Sequence, residues 1–300
     1  NMPARSVAFL ESHMSSDQKQ PEKSILLDES FSAIENSPEW RGFWKREHYN
    51  GLERAISEIE FYVSRGKAQE AAASLGDINS SYRNTQGARY ASSIYFMATG
   101  KMQEAVSLLE SLVSEEPSNM KYLGKLAEVQ MTTGNYAGAT NTLSKILELG
   151  TSDATILYSR AESYRKTSEY DKALSDINTY LGMYPSDRKA ISLAGHIKAD
   201  SGDNLEAIRL FSDNIKQNPG DPAVYLDRAD SYFVGKAWTM AINDYAMSLD
   251  LEPENGDAWL SKGLALYNIG KQEDACIHFR KALSLGNKRA SGFISRYCIK

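Results

Sequence analysis

Apolar and polar positions along this chain repeat on two scales: a helical period within short segments, and a spacing of 34 residues from one pair of segments to the next. The clearest copy runs from Asp257 to Leu283, with Trp259, Gly263, Gly270, Ala275, Phe279 and Ala282 as landmarks. Counting back by 34 from Ala275 reaches Ala241, Ala207, Ala173, Ala139, Ala105 and Ala71 without insertion or deletion. Each alanine falls early in the second of two helical patterns, where paired helices cross closely and a larger side chain would push them apart. Twelve residues earlier the chain mostly supplies another small residue: Ser93, Ala127, Ala161, Gly195, Ala229 and Gly263. Ile59 takes that place in the first copy, which predicts a splayed or adjusted hairpin there. Four residues after each alanine comes a large apolar group, Leu75, Leu109, Leu143, Ile177, Phe211, Tyr245 or Phe279, one turn on along the same face.

Helical hairpins are therefore expected to start at Leu52, Gln86, Met120, Ala154, Arg188, Pro222 and Gly256. The turns inside them carry Gly66, Gly100, Gly134, Gly202, Gly235 and Gly270, since a tight inter-helix turn favours a residue that tolerates positive φ. Pro117, Pro185, Pro219 and Pro253 mark the turns between hairpins, and Ser168, Thr151 and Asn287 depart from the pattern as tolerated variation.

Both ends differ from the repeats. Residues 1–23 read as a flexible segment, because Asp17 to Lys23 is polar and interrupted by Pro21. Ser12-His13-Met14 looks like a vector-derived remnant, which would start the natural sequence near Ser15. Residues 24–49 read as capping helices: Ile25, Leu26, Leu27, Phe31 and Ile34 follow helical spacing to Asn36, then Ser37 and Pro38 restart a helix as N-cap and first position. Its stripe of Trp40, Phe43 and Trp44 suits covering an open repeat end better than docking a partner, and Arg46 and His48 read as solvated. Residues 287–300 read as a C-terminal capping helix over Lys288 to Ile299, with Phe293, Ile294 and Tyr297 packing backwards.

Composition narrows the function. A hydrophobic content of 42%, 24% charged residues and a net charge of −5 are ordinary for a globular chain, and no apolar run is long enough to cross a membrane. Without a cluster of Lys and Arg there is no footprint for nucleic acid or anionic lipid. Scattered His13, His48, His196 and His278 form no HExxH, and neither GxSxG nor GxxxxGK[ST] occurs. Asp200 to Asn204 has the acids and glycine of a calcium loop but not its spacing. The expectation is a protein with no catalytic residues, no metal and no cofactor.

The 34-residue period with its ladder of alanines resembles the tetratricopeptide repeat, over residues 50–286. The resemblance implies an all-α, right-handed superhelical solenoid of about seven helical hairpins, with the N-terminal helical cap and the C-terminal capping helix at its ends. The unbroken register argues for one elongated unit. The ending from Ala275-Cys276 through Ala282 to Gly286-Asn287-Lys288 and Cys298, and the segment Ser37 to Tyr49, are similar to exported repeat proteins of Bacteroidota. That likeness implies a periplasmic or exported location, with an upstream signal missing from this sequence; a cytoplasmic location is the alternative.

First helices of such repeats line a concave groove, which implies groove residues by register. These are Tyr90 and Met97 in the second repeat, Lys121, Lys125 and Glu128 in the third, and Tyr158, Glu162 and Arg165 in the fourth. His196 follows in the fifth, then Asp227, Asp230 and Phe233 in the sixth, and Leu260 and Tyr267 in the seventh. The carboxylate clamp of chaperone adaptors is broken, because Ile56, Glu60 and Ala91 stand where partners of Lys121 and Lys125 are needed. The implied function is a non-catalytic scaffold for a protein or peptide partner held in the groove, a basic or amphipathic segment suiting the acidic C-terminal half. The alternative is a structural component of a cell-envelope or secretion assembly using the convex surface or ends, with carbohydrate or small-ligand binding as a third reading. Cys276 and Cys298 either bridge, pinning the last helix to the body, or remain two free thiols, since Cys298 falls at a groove-facing position.

Overall fold

The computed structural model describes residues 2–14 and 19–298, and among these the chain is all helical. It divides into two compact units, residues 1–149 and 150–300, rather than the single unit that the register suggested. The division falls beside Gly150, which lies in the left-handed region at φ +83°.

The first unit contains α1 (Met2–Met14), α2 (Glu22–Leu26), α3 (Pro38–Trp44) and then three hairpins. These are α4 (Gly51–Ser64) with α5 (Ala68–Ser81), α6 (Gln86–Ala98) with α7 (Met102–Glu115), and α8 (Met120–Thr132) with α9 (Tyr136–Glu148). The second unit contains four: α10 (Thr155–Lys166) with α11 (Tyr170–Met183), α12 (Arg188–Asp200) with α13 (Asn204–Gln217), α14 (Pro222–Val234) with α15 (Trp238–Leu251), and α16 (Gly256–Asn268) with α17 (Gln272–Ser284). It closes with α18 (Ala290–Tyr297).

The ladder alanines are without exception fully buried, at 0% exposure. Where the opposing small residue is glycine, the large group after the alanine is Phe. A Cβ built on Gly195 would stand 2.5 Å from Phe211 Cε1, and one on Gly263 would stand 2.6 Å from Phe279 Cε1. At these two crossings the ring occupies the volume that a methyl would take, so the small and large residues compensate there. In the first hairpin Ile59 is fully buried and joins the core of the first unit with Leu75, Ile78 and Leu109.

The turn register corrects one assignment. Gly66, Gly100, Gly134, Gly202 and Gly270 all have positive φ, but Gly235 does not; the left-handed residue of that turn is Lys236 at φ 60°, the 34-residue equivalent of Gly202 and Gly270. Ser168 holds the same place in the fourth repeat at φ 63°.

The N-terminal region departs furthest from the sequence reading. Residues 2–14, expected to be loose, form α1, whose Val7 and Leu10 are buried with Ile25, Ile34, Trp40 and Phe43. The remaining loose tract from Asp17 lies partly outside the described residues. The helix expected from Ser24 to Asn36 is broken into α2, a 3-10 turn over Glu29–Phe31 and further turns. Ser37 caps α3 as its sequence predicts, its hydroxyl accepting from Trp40 N at 3.1 Å. The aromatic stripe is core, but its partner is α1; the element that packs on the first hairpin is α2.

At the other end α18 packs on α17, with Phe293 stacked on Phe279 at 5.6 Å and Tyr297 on Tyr267 at 4.2 Å. The expected helix extends to Ile299, which lies outside the described residues. A disulfide joins Cys276 to Cys298, with Cα atoms 5.6 Å apart, and so ties α18 to α17.

A hollow lined by three first helices

In the second unit the first helices α10, α12 and α14 follow one another at the repeat spacing and present side chains to one hollow of about 530 Å³. Five of the register-predicted residues line it: Tyr158, Glu162 and Arg165 from α10, His196 from α12 and Asp227 from α14. The fit follows from helix geometry, because positions three and four apart share a face and the period carries that face from one repeat to the next.

Its charges are partly neutralised from within. Arg165 Nε donates to Asp200 Oδ2 at 2.6 Å, and His196 Nε2 lies 3.3 Å from Asp227 Oδ2. The His196 ring also meets Phe211 edge-on at 5.3 Å, which fixes its plane. Arg188 and Lys189 open α12 at the rim, exposed, and enter no ion pair among the described residues. Asp187, the N-cap of α12, accepts from the backbone N–H groups of Lys189 and Ala190 and from the Tyr180 hydroxyl at 2.8 Å. Burial alone would raise its carboxyl, but these hydrogen bonds outweigh it and hold the group below its usual value. Tyr158, set edge-on against Tyr180 at 5.8 Å, has its hydroxyl pushed up by burial first and then by the Glu162 and Asp187 carboxylates. It stays a neutral hydrogen-bonding group at physiological pH.

Sequence reasoning missed Arg188, Asn214 and Asn218, which also line this hollow. Asn214 is fully buried and donates through Nδ2 to Arg188 O at 3.0 Å and Ser192 Oγ at 2.8 Å, fixing the start of α12. A signal existed: in the other repeats its register position holds Ile78, Leu112, Ile146, Tyr180, Ser248 and Ala282, so an Asn there is out of keeping with a core.

The other predicted residues lie elsewhere. Asp230 accepts from the Tyr245 hydroxyl at 2.5 Å; its carboxyl reaches solvent at one edge, yet desolvation by its neighbours raises it above its ordinary value. Phe233 packs edge-on against Trp238 at 4.8 Å. Leu260 is buried in the last hairpin's core and Tyr267 is covered in part by Tyr297 of α18, so neither is an open groove anchor. In the first unit Tyr90 is buried at 2% exposure, with Lys121 Nζ 4.5 Å over its ring and 3.5 Å from Glu60 Oε1. Its phenol is part of the core, because Tyr122 packs on it at 5.5 Å. Met97, Lys125 and Glu128 border a hollow of about 260 Å³, with Lys125 paired to Glu128 at 2.7 Å.

A larger hollow of about 650 Å³ lies beside the disulfide, and of the groove positions of the register only Cys298, held in the bridge, lines it. Among the described residues no group of three His, Cys, Asp or Glu is placed to hold a metal ion, and no helix is long and apolar enough to cross a membrane. The 530 Å³ hollow offers hydrogen bonds, one aromatic wall, and two rim cations and the Glu162 carboxylate outside ion pairs among the described residues, which is chemistry for recognition.

Comparison with known proteins agrees with this architecture. Sequence models described as tetratricopeptide repeat match residues 96–163 and 238–290. Cellulose synthase operon protein C of Pseudomonas fluorescens (strain SBW25) is 29% identical over 107 residues, covering 36% of this chain and 8% of that protein. The chain thus matches less than a tenth of that relative's length. Among solved structures, a tetratricopeptide repeat protein from Parabacteroides merdae ATCC 43184 has a TM-score of 0.66 at 22% identity, covering 83% of this chain and 99% of that one. The APC/C hetero-tetramer Cut9-Hcn1 reaches 0.61 at 14% identity, covering 98% of this chain and 58% of that one. YrrB, described as a tetratricopeptide repeat protein with an unusual peptide-binding site, reaches 0.50 at 15% identity, covering 65% and 97%.

Proposed function

The chain is a tetratricopeptide repeat protein, and from that premise we propose that it is a non-catalytic scaffold holding an extended protein segment in the hollow formed by α10, α12 and α14. The observation that carries this reading is the convergence of five register positions from three successive first helices on one polar, aromatic-walled hollow. Recognition by repeats needs such continuity, since a segment crossing several hairpins gains a contact from each.

The open charge selects the partner. Asp200 and Asp227 are engaged by Arg165 and His196. Among the described residues Glu162 is in no ion pair, and at the rim Arg188 and Lys189 are in none either, so an extended segment bearing an acidic group at the α12 rim suits this hollow. The sequence had suggested a basic segment from the acids of this half; the rim cations Arg188 and Lys189 add a place for an acidic group, with Glu162 still open to a basic one. The disulfide between Cys276 and Cys298 supports an oxidising location, periplasmic or exported, as part of the same proposal.

A random peptide library displayed against the full chain tests the reading. Enrichment of acidic sequences that is lost in Arg188→Glu/Lys189→Glu, with Tyr158→Ala weakening the same peptides, is the expected result. If no sequences are enriched, or the enriched ones bind both variants as well as the parent, the hollow is not the site.

The alternative, a structural component of an envelope or secretion assembly, draws on one observation: Met240, Met247 and Leu251 stand exposed along one side of α15. A triple Met240→Ser/Met247→Ser/Leu251→Ser variant that loses assembly while keeping peptide binding would favour it.

A further inference from the structure

In the first unit, the face of α4 that matches the hollow-lining face of the second unit is already occupied by the chain itself. By the 34-residue period, Ile56 corresponds to Tyr158, Ser57 to Asp227, and Glu60 to Glu162 and His196. Across these positions run residues 19–21, outside any helix, and then the first turn of α2, which opens with Glu22 and Lys23. Lys19 Nζ pairs with Glu53 Oε1 at 2.9 Å and sits 4.3 Å over the Tyr49 ring. The Tyr49 hydroxyl donates to Gln20 O at 2.7 Å. Four residues on from Lys19, Lys23 N donates to Ser57 Oγ at 3.2 Å, while its ammonium lies 3.5 Å from Glu58 Oε1 and over the rings of Phe61 at 4.8 Å and Tyr62 at 5.1 Å.

The strap divides one trough into two. A hollow of about 280 Å³ lies on one side, bounded by Lys19, Pro21, Tyr49, Ile56, Glu60 and Lys121. A second of about 290 Å³ lies on the other, bounded by Lys23, Leu27, Ser57, Glu60, Phe61 and Arg65. Glu60 borders both, so the two join where the strap crosses. The surface beneath pairs a carboxylate with an aromatic ring twice, Glu53 with Tyr49 and Glu58 with Phe61 and Tyr62, and each pair receives one lysine. A carboxylate beside a ring face is an ammonium site, combining Coulomb attraction with the ring quadrupole.

We propose that this trough is a recognition surface for a segment with lysines four residues apart, the second of them opening a helical turn, and that residues 19–23 are its tethered occupant. The hold is polar, its three ion pairs (Lys19 with Glu53, Lys23 with Glu58 and Glu22 with Arg54) being the kind that salt and competition weaken, whereas Ile25, at 1% exposure, anchors α2 in the N-terminal core. A lysine-bearing partner therefore exchanges with the strap as the first turn of α2 opens, while Ile25 stays buried. This surface belongs to the first unit and does not depend on the hollow of the second.

The test uses the full chain and a fluorescein-labelled peptide of the sequence of residues 19–27. Lys19→Glu/Lys23→Glu repels the strap from Glu53 and Glu58 but leaves α4 unaltered. Fluorescence anisotropy is expected to show the peptide binding this variant about ten-fold more tightly than the parent protein, the sum of two exposed charge pairs. Binding should weaken as salt rises, and a peptide with both lysines replaced by glutamate should not bind. Equal affinity for both proteins, binding to neither, or retention of the charge-reversed peptide would overturn the proposal. Hydrogen exchange reads the strap without added peptide: the Lys23 amide should exchange faster in the double variant and regain protection when Glu53→Lys and Glu58→Lys are added. Unchanged exchange throughout would show that these charges do not hold the strap.

Discussion

Replacing Gly195 by Ala tests the compensation between small and large residues at a helix crossing. The added methyl carbon would meet Phe211 at 2.5 Å (Cε1), 2.8 Å (Cζ) and 3.0 Å (Cδ1), well inside van der Waals contact. Phe211 has 0% exposure and cannot swing into solvent, so the crossing must open or the ring must leave its rotamer. Overpacking of this kind costs roughly 1–3 kcal/mol, while alanine is worth about 1 kcal/mol more than glycine in a helix interior, leaving a net loss of about 1–2 kcal/mol. The same substitution made together with Phe211→Leu should change sign, because the ring atoms it strikes are gone and the helix preference remains. The double-mutant cycle should then show a coupling of roughly 2 kcal/mol. The arrangements Ala127 with Leu143 and Ala161 with Ile177 are the chain's own examples of that pairing. Urea unfolding followed by far-ultraviolet circular dichroism gives the midpoints, with Gly76→Ala as control, since a Cβ there meets nothing within 4 Å and should stabilise. If Gly195→Ala is neutral in the parent protein, or costs as much beside leucine as beside phenylalanine, ring volume is not what demands the glycine.

Further outcomes follow from other sites. Lys236→Gly should stabilise by about 0.5–1 kcal/mol by relieving a left-handed lysine, whereas Gly235→Ala, at φ −72°, should not cost a comparable amount; midpoints that rank the other way would contradict the corrected turn register. Asp244→Ala removes a carboxylate bound at both oxygens by Arg228, at 2.7 and 2.8 Å, and should cost about 3 kcal/mol by leaving a largely covered guanidinium unpaired; a loss under 1 kcal/mol in thermal unfolding would refute this. Opening the Cys276–Cys298 bridge should destabilise by roughly 3 kcal/mol through a closed loop of 22 residues, and Ellman's reagent on denatured, unreduced protein should find no thiol; two thiols would refute the crosslink. Glu115, hydrogen-bonded by Arg89 at both oxygens, has its carboxyl lowered from 4.5 to about 2, so this pair's contribution is present above pH 4.5 and lost as pH falls toward 2. NMR titration should place its midpoint near 2, and a midpoint at the ordinary value would show that the pair does not hold in solution.

The hairpins were legible because their signal is long-range and redundant. Starts predicted at Leu52 and Ala154 fall one residue from Gly51 and Thr155, and the other five agree with the observed first residues. The residues 2–14 were not legible, since the apolar patch around Val7 and Leu10 is too short to declare a helix until Trp40 and Phe43 give it something to cover. Tyr90 and Leu260 show the limit of register: the period places them on the right face, but whether that face is open depends on neighbours such as Tyr122 that sequence spacing cannot locate. Lys236 was missed for a different reason. A glycine one residue away drew attention from the position the period specifies.

The two bidentate pairs, Arg160 with Asp176 and Arg228 with Asp244, lie two repeats apart, and between them the fifth repeat carries Ala194 and Leu210 at the same positions. Look-alike hairpins face a sorting problem as they form, because a first helix can meet the wrong second helix with its ladder alanine still matched. If α10 met α13, Arg160 would be set against Leu210, and Asp176 would be left without its guanidinium. Mispairing to the next repeat thus strands charge at both ends of the error, whereas an all-apolar crossing would let it pass unnoticed. The ionic, apolar, ionic order of the fourth to sixth repeats works as a lock-and-key code in that stretch, telling neighbouring hairpins which half is their own.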